Sequence, residues 1–237
     1  MDTAVIADIH GNAFALQAVF DDIESRGITN IVNLGDSLDT WMDPSSTADL
    51  LMAKDVPSLL GNDETATDEQ LSAAQRAWRD SLPKTLVLDE VSCCHGTPQK
   101  DTQALLEEIN ERGVRLASDK IIRERLGNVT QEIILCAHTH TPHTVRLSSG
   151  HIVVNPGSVG LPAYQHDQPV EHIMQTGSPH ARYAIISKNK ASQDKNWSIQ
   201  HISLTYDWHA AAALARASGR SDRAEWLLTG RAEPTVS

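Results

Sequence analysis

Three cysteines in 237 residues, two of them adjacent, cannot all pair and supply no disulfide framework. Cys93, Cys94 and Cys136 sit in the apolar runs VSCCH and IILCA, where cysteine serves as a small core residue. No basic residue is arranged to depress their pKa, which argues against thiol catalysis. No apolar run approaches the ~20 residues that span a bilayer, so no membrane-spanning helix is expected. A signal peptide is not expected either, because Asp2 follows Met1 and a buried strand begins by Thr3. A cytoplasmic location is the resulting expectation. Basic residues are also scarce: 20 Lys+Arg against 31 Asp+Glu give a net charge of −11. That argues against sequence-independent nucleic-acid binding, which rests on clustered cations neutralising phosphates. It does not exclude a phosphorylated small molecule, since bound divalent ions would reverse the sign locally. There is no internal repeat, low-complexity segment or clear linker. One domain over 1–237 is expected, with a motif-bearing core over about 1–187 and a C-terminal strand and helices over about 188–237.

What is present alternates between β-branched runs and helical patterns. Strands are expected at 3–7, 31–34, 56–60, 86–88, 91–94 and 132–137, and helices at 13–25, 47–54, 68–81, 102–112 and 118–125. Such alternation argues for an α/β fold with a largely parallel sheet. Further on, 143–147 and 151–154 read as a hairpin, and 182–187 and 197–205 as strands. Helices are expected near 208–218 and 222–228, and residues 232–237 are expected to fray. The Pro- and His-rich stretch 161–180 reads as a loop, either bordering a pocket or making a surface excursion between strands.

The metal-capable residues fall directly after predicted strands. Asp8 and His10 follow TAVIA, Asp36 follows IVNL, Asn62 follows VPSLL, His95 follows VSCC, and His138 and His140 follow IILCA. In open α/β sheets, sites form beyond the carboxyl ends of the strands, so these clusters can converge on one place. Asp8/His10 and His138/His140 are i and i+2 pairs, which point the same way in extended backbone. Two carboxylates, one carboxamide and four imidazoles suit Mn²⁺, Fe, Zn²⁺ or Ni²⁺ better than Ca²⁺ or a soft metal. That is more donors than one tetrahedral ion needs, and it suits two ions sharing a carboxylate.

The series DIHGN (8–12), GD (35–36), GN (61–62), HG (95–96) and AHTH (137–140) resembles the calcineurin-like metallophosphoesterase superfamily. The match continues into NPGSVGLPAY (155–164), which is similar to the small bacterial phosphodiesterase-like branch. The resemblance implies an α/β fold of two packed mixed β-sheets flanked by helices, a four-layer αββα sandwich. It implies that Asp8, His10 and His140 hold one divalent metal, that Asn62, His95 and His138 hold a second, and that Asp36 bridges them. Mn²⁺ is the first choice, with Fe, Zn²⁺ or Ni²⁺ as alternatives. Asn12 either reaches the phosphate or a partner behind it, or caps its loop. The implied reaction is hydrolysis of a phosphodiester or small phosphorylated metabolite by a metal-bridging hydroxide, with Asp36 and His95 in the catalytic set.

Two departures narrow this reading. Many members follow the Asn with a His that protonates the leaving oxygen; here Asp63 stands there, within GNDE. An exposed carboxyl, with a reference pKa of about 3.9, is a poor acid at neutral pH, so substrates with good leaving groups are favoured. The Ser/Thr phosphatase and symmetrical dinucleoside tetraphosphatase branches carry an Arg in a GDxVDRG pattern, where this chain has Thr40 in GDSLDTWMD. The rival from another class is a non-catalytic metal-binding interaction module on the same fold. A nuclease lacks support because no basic track is visible.

Overall fold

A computed structural model describes residues 2–188 and 197–232. The chain opens with β1 (Asp2–Ile6), α1 (Ala13–Ser25) and β2 (Asn30–Asn33). Helices α2 (Pro44–Ala53) and α3 (Ala73–Asp80) follow, begun by the capping side chains of Asp43 and Ser72. Then come β3 (Thr85–Leu88), β4 (Val91–Cys94), β5 (Glu107–Asn110), β6 (Gly113–Leu116) and α4 (Asp119–Leu126). Strands β7 (Ile133–Leu135), β8 (His143–Arg146), β9 (Ile152–Asn155), β10 (Ala163–His166) and β11 (His172–Gln175) lead to the long pair β12 (Ala181–Lys188) and β13 (Trp197–Leu204). Helices α5 (Trp208–Ala217) and α6 (Ser221–Thr229) close the described chain.

The strand order is β13-β12-β1-β2 in one main sheet and β3-β4-β7-β9-β8 in the other. Alternation along each strand sends successive side chains to opposite faces. Val5, Val32, Ala184 and Ile186 of the first sheet therefore meet Cys93, Ile133, Leu135 and Val154 of the second in a shared core. Ala4, Ile6 and Tyr183 face outward onto Leu16, Val19, Phe20 and Ile23 of α1. On the far side, Cys94, Ile134 and Val153 pack against Ile122 and Leu126 of α4. The expected four-layer αββα sandwich is what the chain forms.

Four local expectations are corrected. Both sheets are mixed rather than largely parallel: among the described residues, β1–β2, β4–β7 and β7–β9 pair parallel. The tight β3–β4 and β8–β9 connections pair antiparallel, because a short hairpin can join strands no other way. The helix expected at 102–112 is instead the β5–β6 hairpin. Asn110 accepts the Arg112 N–H at 2.9 Å, and Gly113 has φ +102, so turn chemistry overrides the helical spacing of Leu105, Leu106 and Ile109. The stretch 161–180 contains a second hairpin, β10–β11, with His166 opposite His172. Residues 56–60 make one isolated bridge, Asn33 to Ser58, rather than a strand.

All three cysteines are free and buried. Burial pushes the Cys93 thiol up to about 12 and raises those of Cys94 and Cys136, which leaves them inert core residues. No helix among the described residues is long and apolar enough to cross a membrane. Of the residues 232–237 expected to fray, Ala232 is buried, and 233–237 lie outside the described residues.

Candidate metal centre

The loops beyond β1 and β2 are joined backbone to backbone. The N–H groups of Asp8, His10 and Gly11 donate to the carbonyls of Gly35, Asp36 and Ser37 at 3.0, 2.9 and 2.8 Å. Ala137 N–H donates to His95 O at 2.7 Å, which ties the loops after β4 and β7 in the same way. The NPGSVG segment closes the ring, with Ser158 Oγ donating to Asp8 O at 2.7 Å and Gly160 N–H at 3.1 Å. A Cβ at Gly160 would stand 1.8 Å from the Ile9 carbonyl, and one at Gly61 would stand 2.0 Å from Asp36 Oδ1. Backbone must approach that closely at both places, so only glycine fits.

Five of the predicted residues occupy the left-handed region: Asp8 (φ 52), His10 (φ 50), Asp36 (φ 54), His138 (φ 73) and His140 (φ 57). The i and i+2 pairs are therefore not extended. They converge through turns of positive φ, not through extended-strand alternation. Asp and His tolerate that region better than most residues, yet each such residue costs about 1–3 kcal/mol. The interlocked loops supply the compensating hydrogen bonds.

The side chains assemble three trios whose ligand atoms lie within 4.8 Å of one another: Asp8–His10–His140, Asp36–His95–His138 and His10–Asp39–Asp63. Asp36 stands between the first two, with Oδ2 at 3.2 Å from His95 Nε2 and 3.9 Å from His10 Nε2. Its Oδ1 accepts the Asp63 N–H at 2.8 Å. His95 Nδ1 donates to Leu34 O at 2.9 Å and His140 Nδ1 to Leu161 O at 2.7 Å, which aims each Nε2 inward. Both Asp8 oxygens and His95 Nε2 are buried without a hydrogen-bond partner. The short His95–Asp36 contact is therefore too poorly aligned to satisfy that nitrogen. Orphaned carboxylate and imidazole atoms converging in a buried space are the donor set a divalent cation requires.

Charge in the metal-free site follows from the same geometry. Burial lifts the Asp8 carboxyl to about 7, against the pull of His95. Burial also opposes ionisation of Asp36, but His95 and His10 outweigh it and hold this carboxyl well below the usual carboxylate range. For His95 burial disfavours the cation, yet Asp36 and Asp8 raise it to about 10. His10 likewise rises to about 9 through its contacts with Asp39 and Asp36. Burial takes His138 down to about 4 and His140 well below the ordinary imidazole value.

Asn62 is exposed in the turn after Gly61. Asn12 is wholly buried: its Oδ1 accepts Ala15 N–H as the N-cap of α1, and its Nδ2 donates to Gly160 O and the Tyr206 hydroxyl. Both ends of that amide are engaged, which matches the capping alternative. Several neighbours escaped the sequence reading. Asp39 Oδ2 lies 3.3 Å from His10 Nδ1 and its Oδ1 accepts Thr65 Oγ1–H at 2.7 Å. Glu64 accepts the Ser37 and Leu38 N–H groups at 2.9 and 2.8 Å, which fixes the loop carrying Asp36. Tyr164 packs edge-on against His140, 4.6 Å between ring centres, and donates to His138 O at 3.2 Å. The repeated Asp in GDSLD and the Glu in GNDE were the signals available. Nothing local announced Tyr164.

Comparison with known proteins agrees with this geometry. Residues 1–177 match the family model described as the calcineurin-like phosphoesterase superfamily domain. An uncharacterized protein of Methanocaldococcus jannaschii is 24% identical over 231 residues, covering 86% of this chain and 87% of its own. The crystal structure of a metallophosphoesterase from Sphaerobacter thermophilus superposes with a TM-score of 0.72 at 21% identity, over 98% of this chain and 99% of that one. A hypothetical protein from Pyrococcus horikoshii OT3 gives a TM-score of 0.72 at 18% identity, with the same coverage. With the sandwich, the converging ligand trios and a family match that spans all five strand-end motifs, the chain belongs to the calcineurin-like phosphoesterase superfamily.

Proposed function

We propose that this chain hydrolyses phosphate esters, phosphodiesters or small phosphorylated metabolites, at a centre of two divalent metals sharing Asp36. The observation that carries the reading is the position of Asp36 Oδ2, within 4 Å of imidazoles belonging to both ligand trios. Asp8, His10 and His140 would hold one ion, and His95, His138 and Asn62 the other. Mn²⁺ is favoured, with Fe, Zn²⁺ and Ni²⁺ as alternatives, because oxygen and imidazole donors predominate and no thiolate is within the set. When bound, such ions supply charge neutralisation at the phosphate oxygens and lower the pKa of water.

The chain's own residues do the rest. Leu34 and Leu161 carbonyls fix the ring orientations of His95 and His140, so that each Nε2 already faces the position a metal would take. Asp39 orients His10 in the same manner. The interlocked loops hold the ligands rigidly, which favours electrostatic stabilisation by preorganisation. Asp63 has a partly exposed side chain 3.8 Å from His10 Nδ1 and stands where a proton donor often sits. Burial raises this carboxyl against the pull of His10, yet a bound dication would lower it again, so esters with good leaving groups are the better substrates. A chromogenic phosphodiester offered to Mn²⁺-reconstituted protein should be cleaved, and a chelator should abolish cleavage. Bound metal with no turnover on any ester of a broad panel would instead favour a non-catalytic interaction module.

A further inference from the structure

The sequence places Thr40 where some relatives carry a phosphate-binding Arg, and Thr40 is exposed and flanked by Asp39 and Trp41. In the fold, both flanking residues are met by one side chain from the other end of the chain. Arg223 on α6 stacks its guanidinium over the Trp41 ring at 4.9 Å and lies 5.6 Å from the Trp226 ring centre. Its Nη1 is 3.6 Å from Asp39 Oδ2, the oxygen that also faces His10.

Neutralising Asp39 does not account for this arrangement. At 3.6 Å the contact is an ion pair without a hydrogen bond, and the Asp39 oxygens have nearer partners in His10 and Thr65. Arg223 Nε is buried with no acceptor. Guanidinium N–H groups are costly to bury unmatched, and their planar fork is shaped for phosphate oxygens. The side chain retains 19% exposure and lines an open cleft of about 580 Å³ together with Arg220 and Arg231. The acidic residues of that cleft are already engaged: Asp222 with Arg220 and Glu225 with Arg216, each at 2.6 Å. Two indoles hold the cation in place, so little conformational freedom remains to be lost on binding.

We propose that Arg223 binds a phosphate oxygen of the substrate beside the His10–Asp39–Asp63 trio, supplying from α6 the cation that Thr40 leaves out. This rests on the phosphoesterase reading above. Arg223 is thus a substrate-binding residue that sets affinity for the phosphoryl group.

The test uses inorganic phosphate as probe on metal-reconstituted protein. Arg223→Met keeps an aliphatic stem against the tryptophans and removes the fork. It should retain wild-type metal content while the inhibition constant for phosphate rises about tenfold to a hundredfold, with KM rising in parallel. Arg223→Lys should fall between the two, and it serves alone if the Met variant fails to fold. Unchanged phosphate inhibition in a metal-replete variant would overturn the assignment. Calorimetric titration of phosphate into the wild type and the variant keeps the test independent of turnover. If the wild type binds phosphate through Arg223 but cleaves nothing, the hydrolytic reading fails and this one stands.

Discussion

Asp39 illustrates how much of this site depends on residues packed behind the predicted metal ligands. Its carboxylate fixes the ring of His10 from behind, at 3.3 Å from Nδ1, and supporting carboxylates of this kind orient a ligand and raise its basicity. Asp39→Ala should lower metal affinity by about 10–100-fold while leaving the fold intact. Calorimetric Mn²⁺ titration of variant and wild type checks this, and equal affinities would show that His10 needs no such support. At this scale the ligands were legible, because Asp, Asn and His after apolar runs are chemically conspicuous. Their backbone was not. Positive φ at Asp8, His10, Asp36, His138 and His140 leaves no mark in residue type beyond a mild tolerance, and it depends on carbonyl partners supplied by other loops. Asn12 was open to either role for the same reason: its amide is claimed by Gly160 and Tyr206, far away in sequence.

Among the elements, the β5–β6 hairpin carries the clearest consequence. It delivers Glu107, which is buried, accepts Thr139 Oγ1–H at 3.1 Å and so braces the loop bearing His138 and His140. Burial raises this carboxyl to about 7. The folded state therefore binds a proton between the ordinary Glu range and about pH 7 that the unfolded chain has already released. Stability then falls as pH rises through that window. Asp8 and Glu64, also raised to about 7 by burial, act in the same direction in the metal-free protein. His138 and His140, held low by burial, act in the opposite direction over the same window, so the Glu107 contribution is read as a difference: from about pH 4.5 to about 7 the denaturant midpoint of metal-free Glu107→Gln should rise relative to that of wild type. Identical slopes in the two proteins would assign the dependence to other groups. This element was misread from sequence because Leu105, Leu106 and Ile109 fit a helical face. The Asn110–Gly113 turn signal is local and decisive, but it marks only the end of the segment. The β10–β11 hairpin was hidden differently, since its strands are polar and Tyr164 and His172 show their packing only in the folded chain.

Viewed as a whole, the molecule is two sheets sharing a core, with ligands gathered where β1, β2, β4 and β7 end. The alternation of apolar runs and helices conveyed the α/β class. The pairing into two mixed sheets came from the family resemblance, because strand direction is set by long-range register such as Asp2–Ser187. No local pattern encodes that. The C-terminal helices show the same limit: the sequence predicts a helix near 222–228, but not that its Arg223 reaches Asp39, a residue far away in sequence. The interdependence of these distant loops predicts that one carboxylate at their centre governs the occupancy of both metal positions. Metal analysis of reconstituted wild type and Asp36→Ala, with turnover measured on the same samples, tests this most directly. Wild type should retain about two divalent ions per chain, and the variant should lose both metal and activity together. Full metal content or undiminished turnover in Asp36→Ala would contradict the shared-carboxylate centre.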